Sequence, residues 1–436
     1  MKTAFSFVAV LSAFVAFAAS VEIGQDRPDA LYRSGDETVF TVSVKDDSGA
    51  LLKSGKAKWT LDNFGSVKYS SGAADLSKGN PFTVKGKMDE EGFLRLCVNS
   101  GTNSVFVALH ALDLPPFSEV IVGPVTDPGG IMPIVMLNCI PVVADAEPGS
   151  FNTGAAQVEA CITPRTSAIV IPHIGGAPAD IKAIMKVAKK HKLPVVEDCA
   201  QAHGASVDGQ KVGTFGTYGA FSLMFGKHFC AGGQGGAIFS KTEDLYWQER
   251  RAADRGKPFG LEGHTNVRAA INCNMDEFGA AIGRAQLKKL PQIIAKRQAF
   301  VKMLMNRGIA DLDIIKIPKL PKGAEHTYWW WRLELNLEKM TVDKFTFCKA
   351  LAAEGVPINP HYIGALPWKQ EWFQNREKKH PWNNPLYKGK VTPVNCPNAE
   401  EAVNRCFLLM VEEGWGAKEA DAFYKALAKL NAAFKK

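Results

Sequence analysis

From Val21 to about Val98 the chain alternates apolar and polar positions with period two. In Phe40-Thr41-Val42-Ser43-Val44, and in Ala57, Trp59 and Leu61 set against Lys58 and Thr60, one face is apolar and the other polar, as half-buried antiparallel strands require. Asp46-Asp47-Ser48-Gly49 and Lys53-Ser54-Gly55 supply turns between them. The pattern predicts a small β-sandwich over residues 21–98. Ahead of it, Lys2 is followed by an apolar stretch from Ala4 to Ala19 that contains Ala16-Phe17-Ala18. Residues 1–20 therefore read as a secretory signal peptide.

Beyond Val98 short apolar runs alternate with helical patterns, which is how an α/β domain with a mainly parallel sheet is written. Ser118–Val122, Ile140–Val143, Ser167–Ile171 and Leu193–Val196 are the candidate buried strands. Between the last two, Asp180 can cap a helix that carries Ile181, Ile184, Met185 and Ala188 on one face. The unit is βαβ, and its second strand runs into Glu197-Asp198, at the carboxyl edge where open α/β sheets bind ligands.

Composition narrows the classes. A hydrophobic fraction of 46% with 22% charged residues excludes a disordered scaffold. The net charge of +8 is modest for 436 residues, and no block of like charge occurs, so dedicated nucleic-acid binding is excluded. The mild basicity suits an anionic substrate such as a sugar nucleotide, or serves solubility alone. After the N-terminus no segment is long and apolar enough to span a bilayer, and no stable membrane insertion is expected. The nine cysteines are scattered and never spaced as CxxC, which removes zinc-ribbon and disulfide-scaffold readings.

Three candidate features remain. Asn99-Ser100-Gly101-Thr102 precedes a helix whose first N–H groups can hold a phosphate, although such a sequence can also be a simple N-cap. Lys227, in Phe221-Ser222-Leu223-Met224-Phe225-Gly226-Lys227-His228, is set among apolar and small residues. It is either a desolvated nucleophile or a surface lysine beyond a strand. It is not a Walker lysine, because six residues separate Gly219 from Gly226 and His228 stands where Ser or Thr belongs. Asp198 at its strand end is the third. An acid, a phosphate-binding helix start and a desolvated lysine are the three parts that pyridoxal 5'-phosphate (PLP) needs.

From about Asn99 to Lys436 the residues also resemble the DegT/DnrJ/StrS sugar aminotransferases. Ser100-Gly101-Thr102 resembles the family's SGT phosphate loop, and Glu197-Asp198-Cys199-Ala200-Gln201-Ala202-His203-Gly204-Ala205 its E-D-x-A-Q-A-x-G-A segment. Phe221-Ser222 with Lys227 is similar to its F-S-x4-K motif, and Ile271-Asn272-Cys273-Asn274-Met275 to its x-N-Y-R-M. Helix 280–290, His326-Thr327-Tyr328-Trp329 and His361-Tyr362 follow the family too, with Ile282 and Leu287 expected in the core. Core packing is also expected for Trp329, Trp330 and Trp331, which cannot all face one ligand from one strand.

The resemblance implies the PLP-dependent transferase (aspartate aminotransferase-like) fold. It implies a large PLP-binding domain over residues 99–310 and a small C-terminal α+β domain over residues 311–436. It implies Lys227 as the Schiff-base lysine, Asp198 on the pyridinium nitrogen, Gln201 near the 3-hydroxyl, and Gly101, Thr102 and Ser222 on the phosphate. Asn272 would reach the phosphate of the other subunit of a homodimer. The reaction implied is transfer of an amino group from an amino acid, glutamate foremost, to a keto-sugar, nucleotide-linked. Alternatives are a PLP-dependent sugar dehydratase, whose relatives carry histidine at the lysine position, and an exported carbohydrate- or partner-binding protein with a degenerate PLP half.

The sequence departs from the family at three places. Asp127 stands where many members carry an aromatic that stacks on the cofactor ring, Cys273-Asn274 replaces Tyr-Arg, and Gln234 replaces the Glu of GEGG. The family's segment ahead of the SGT loop is replaced by the β-domain, by a genuine fusion or by the joining of two genes. That domain, through Arg27–Tyr32, Lys78–Val84 and Glu91–Arg95, resembles the immunoglobulin-like domain of acetyl-xylan-esterase-type proteins. No G-x-S-x-G nucleophile elbow accompanies it. The leader implies export, whereas the enzyme family implies the cytoplasm.

Overall fold

A computed structural model describes residues 20–25, 37–46, 48–54, 56–62, 68–87, 95–262, 265–362, 366–375, 380–391 and 393–436. Residues 1–19 of the expected signal peptide lie outside the described residues. The chain divides into two compact units, Met1–Leu94 and Arg95–Lys436.

In the first unit, strands Ser20–Gln25, Glu37–Lys45 and Phe82–Lys87 form an antiparallel sheet, and Lys56–Asp62 pairs with Lys68–Asp75. The period-two pattern places Phe40, Val42 and Val44 inward, with Thr41 exposed between them. The turn after Val44 is closed by Asp46, whose Oδ1 accepts from the Ser48 and Ala50 N–H groups. The immunoglobulin-like β-sandwich of residues 21–98 was expected to end at Val98, and here the structure differs. Arg95–Val98 pairs antiparallel with Gly236–Ser240 in the sheet of the second unit. The reason is burial: Leu96 and Val98 are enclosed in that unit's core.

The second unit is built on a seven-stranded sheet. Its order is Arg95–Val98, Gly236–Ser240, Tyr218–Ser222, Val195–Asp198, Thr166–Pro172, Glu119–Val122 and Ile140–Val143. All pairs are parallel except those made by Gly236–Ser240. The four candidate strands are all present. Their near-continuous β-branched runs suit a sheet covered on both faces, and Ile169, Val170 and Ile171 are fully buried. Helix Ile181–His191 carries the connection into the central strand, with the Asp180 carboxylate accepting from the Ala183 N–H at 3.1 Å. Ile181, Ile184 and Ala188 lie on its buried side.

A second hydrophobic core sits under an antiparallel sheet ordered Ile315–Lys316, Trp330–Leu335, Cys406–Met410 and Ile358–Asn359. Helices Leu290–Asn306, Lys344–Ala353 and Ala417–Phe434 cover it. Phe300, Val301 and Leu304 belong to this core, so its helical layer begins before residue 311. Trp330 and Trp331 point into different cores, as alternate residues of a strand must. Ile282 is 43% exposed and Leu287 half-buried, against the expected core packing. Helix Glu277–Leu287 turns Phe278 and Ile282 outward and buries only Gly279 and Gly283. Among the described residues no helix is long and apolar enough to cross a membrane, and no disulfide joins the nine cysteines.

Candidate active site

The carboxyl ends of the parallel strands bring the candidate residues to one edge. Helix Gly101–Ala111 begins where Arg95–Val98 ends, with Ser100 as its N-cap accepting from the Asn103 N–H at 3.1 Å. Gly101 and Thr102, in the first turn, have no intrahelical acceptor for their N–H groups. Gly101 is pressed against Ser222, where an added Cβ would lie 2.5 Å from the Ser222 Cβ and Oγ. Only glycine lets the helix start come that close to the serine at the end of Tyr218–Ser222.

Asp198 ends the central strand and is buried. Its Oδ1 accepts from the Ala200 N–H at 3.0 Å. Burial raises its carboxyl above the usual range, the Ala200 N–H bond and Lys227 pull it back down, and Asp127 pushes it up. The neighbouring Glu197 side chain points the other way and is fully enclosed. It accepts N–H groups from Gly213 at 2.8 Å and from Phe215 and Gly216 at 2.7 Å. His173 also reaches it: Nδ1 of the ring accepts from the Ala179 N–H at 3.0 Å, so Nε2 carries the proton and donates to Glu197 at 3.1 Å. With Cys199 these two make a compact group of metal-ligand type. The oxygens of Glu197 and both ring nitrogens of His173 are already engaged, and burial holds the Cys199 thiol well above its ordinary pKa. The group is a latch that fixes the strand end bearing Asp198.

Lys227 follows the tight turn after Phe221-Ser222. Its Nζ stands 3.8 Å from the centroid of the Trp329 ring, within cation–π range. Trp329 in turn donates through Nε1 to the Gly226 carbonyl at 2.7 Å. Burial lowers the Lys227 pKa to about 8, against the pull of Asp198 and Asp127. Lys227 itself is half-buried. His228 is turned away, donating from Nε2 to the Thr327 carbonyl at 3.1 Å, and burial depresses its pKa to about 3.

Gln201 is buried and bridges two walls: its Oε1 accepts from the Gly175 N–H at 2.9 Å, and its Nε2 donates to the Tyr362 hydroxyl at 2.6 Å. Thr126-Asp127-Pro128-Gly129-Gly130 closes the remaining side. An added Cβ at Gly129 would lie 2.4 Å from Thr102 Oγ1, and one at Gly130 2.9 Å from Asp198 Oδ2. The turn therefore reaches from the helix start to the buried acid.

Gly101, Thr102, Asp198, Gln201, Ser222 and Lys227 thus share one site. Asn272 stands apart from them: it is exposed, and its Oδ1 accepts from the Asn274 N–H at 3.0 Å. Its segment runs beside the strand leading to the helix start, through the Asn99 N–H to Cys273 carbonyl bond at 2.8 Å. Trp329 was expected in the core, and it is instead half-buried with its face to Lys227. Sequence reasoning missed this, since bonds to residues distant in sequence, from its N–H to Gly175, to its carbonyl from Arg297 and from its indole to Gly226, turn that residue toward the lysine.

The residues fit PLP by the chemistry of their donor set. Hydrogen-bond donors lie at the helix start, a buried carboxylate lies on the far side of the turn, and a lysine of lowered pKa lies between aromatic and acidic groups.

The sequence pattern of the DegT/DnrJ/EryC1/StrS aminotransferase family matches residues 95–428. The UDP-N-acetyl-3-dehydro-alpha-D-glucosamine 3-aminotransferase of Acidithiobacillus ferrooxidans is 32% identical over 311 residues, covering 71% of this chain and 77% of that protein. The L-glutamine:2-deoxy-scyllo-inosose aminotransferase of Micromonospora echinospora is 33% identical over 276 residues, 61% of this chain and 65% of that protein. The X-ray structure of the aminotransferase from Psychrobacter cryohalolentis superposes with a TM-score of 0.68 at 26% identity, covering 78% of this chain and 87% of that one.

Proposed function

The chain belongs to the DegT/DnrJ/EryC1/StrS aminotransferase family, whose members are PLP-dependent, and from that premise we propose that it transfers an amino group from an amino acid, glutamate foremost, to a keto-sugar, nucleotide-linked. The observation that carries the reading is the placing of a lysine of lowered pKa beside a buried carboxylate at the carboxyl edge of a parallel sheet. PLP supplies the electron sink that lets an amino acid give up its α-proton.

The chain's own residues do the rest. Gly101, Thr102 and Ser222 hold the phosphate with N–H groups and a hydroxyl. Asp198 keeps the pyridine nitrogen protonated, and Gln201, braced by Gly175 and Tyr362, meets the 3-hydroxyl. Lys227 Nζ, with its pKa lowered to about 8, would take a proton from the donor's α-carbon and return it to the carbon on the far side of the donor's nitrogen. Trp329 and Tyr362 exclude water from that transfer. His228, neutral and bound to a carbonyl, does not replace the lysine, which argues against the dehydratase reading.

We propose further that the enzyme is a homodimer in which Asn272 serves the neighbouring copy. Support comes from the exposed Asn272 and the apolar residues near it in sequence, Ile271 at 55%, Ile282 at 43% and Phe278 at 84% exposure. The test of the activity is direct. Purified protein mixed with PLP should develop a visible absorption band that Lys227→Ala lacks, and glutamate should discharge it. A wild type that stays colourless with PLP overturns the reading.

A further inference from the structure

A second cavity, of about 460 Å³, is lined by residues of both hydrophobic cores of the larger unit. Phe151, Tyr328 and Trp330 form its aromatic wall. Phe151 and Trp330 also pack edge-on against the Tyr362 ring, at centroid distances of 5.8 and 5.7 Å, so the wall backs onto the residue that holds Gln201. None of Asp198, Gln201, Ser222 and Lys227 lines this cavity.

Its polar lining is unevenly satisfied. Arg332 is engaged: it donates from Nη1 to Glu334 at 2.7 Å and from Nη2 to the Gly149 carbonyl, with its guanidinium 4.9 Å from the Phe151 centroid. Lys319 is exposed to solvent. Asp180 uses Oδ1 for the Ala183 N–H and has Oδ2 open, and the Glu147 carboxylate accepts no hydrogen bond from any described residue. Burial and the Asp180 charge push the Glu147 pKa up, and no cation offsets them there. His326 is 8% exposed and lines the same cavity. Its Nδ1 accepts from the Tyr328 N–H at 2.8 Å, so the proton sits on Nε2, which has no acceptor among the described residues. Tyr328, at φ 49°, stacks on the imidazole with ring centroids 3.9 Å apart.

We propose that this cavity binds an amino sugar, its ammonium held at Glu147 and Asp180, an oxygen accepting from His326 Nε2 and its ring set against the aromatic wall. The chemistry of the lining sets the class. Two carboxylates with open oxygens call for a cation, and aromatic faces favour one too. A buried N–H without an acceptor calls for a ligand oxygen. A plain alkylamine lacks that oxygen and a neutral sugar lacks the charge, whereas an amino sugar has both and suits a cavity of small-molecule size. The inference does not depend on the reading of Lys227.

The test is isothermal titration calorimetry on the full chain, at roughly pH 6.5 so that the probe's amine is protonated. D-Glucosamine is the probe, with D-glucose and cyclohexylamine as comparisons. D-Glucosamine should bind about tenfold or more tightly than either. Glu147→Gln should lower its affinity about threefold or more. Glu147→Gln with Asp180→Asn, in which Asn keeps the cap on the Ala183 N–H, should lower it about tenfold or more. Lys227→Ala should bind the probe as the wild type does. No heat with D-glucosamine at about 10 mM, affinity equal to that for D-glucose, or affinity unchanged in the Glu147 variants overturns the inference. Loss of binding in Lys227→Ala overturns it too, by placing the probe at the other site. Binding that depends on Glu147 in a protein that stays colourless with PLP upholds the inference and overturns the proposed activity alone.

Discussion

At Lys227 the balance of forces sets a pH dependence. Burial lowers its pKa to about 8, and the two carboxylates stop it from falling further. The neutral amine is the nucleophile, so capture of PLP should quicken as pH rises toward 8 and slow about tenfold per unit well below it. Stopped-flow absorbance between pH 6 and 9 checks this. Glu197 illustrates a different kind of residue. It satisfies three buried N–H groups and a histidine N–H. Glu197→Ala leaves those donors without an acceptor, and should cost about 3 kcal/mol or more in urea unfolding. The sequence shows Glu197 and Asp198 side by side with the same chemistry. Strand alternation sends one into the structure and the other into the site, yet which is which depends on the layer covering each face.

Among the elements, the helix starting at Gly101 ties fold to site. Its position depends on the contact of Gly101 with Ser222, where a Cβ would stand 2.5 Å from Cβ and Oγ. Gly101→Ala should destabilise the protein by about 1–3 kcal/mol. It should also weaken PLP binding, measured by equilibrium dialysis, because the N–H groups at the helix start move with the strain. Asp180→Ala loses only the cap of Ile181–His191 and should cost about 1 kcal/mol, with PLP binding unchanged. The contrast separates a helix that builds the site from one that only covers the sheet. Both helices were legible as patterns, through a cap residue followed by apolar positions three and four apart. Helix Glu277–Leu287 was legible too, but its outward face was misread, because amphipathic spacing does not say whether an apolar face meets the core or another copy of the chain.

Over the whole molecule, the boundary lies at Leu94/Arg95, four residues ahead of where the change of rhythm put it. A chain beginning at Arg95 should keep the thermal midpoint of the second unit and take up PLP. One beginning at Asn99 loses the edge strand with buried Leu96 and Val98. It should be less stable by roughly 1.5–3 kcal/mol for each side chain. Differential scanning calorimetry of the two chains decides this. The proposed dimer is tested at the same scale. Phe278→Glu, at a residue 84% exposed, should convert the protein to a monomer in size-exclusion chromatography with light scattering.

Residue order alone determined the periods, the caps, the buried β-branched runs, the strand-end placing of Asp198 and the apolar setting of Lys227, while Gly101, Gln201 and Ser222 were marked by the resemblance to the family. Those signals are local, because they arise from neighbours along one helix or strand and are written within a few positions. The tertiary structure decided what lies across space. It set Trp329 under Lys227, brought Asp127 to the edge that holds Asp198, drew Arg95–Val98 into the larger sheet and left Ile282 at the surface. Each of these depends on which elements become neighbours after the chain closes, and no periodicity of a single segment records that.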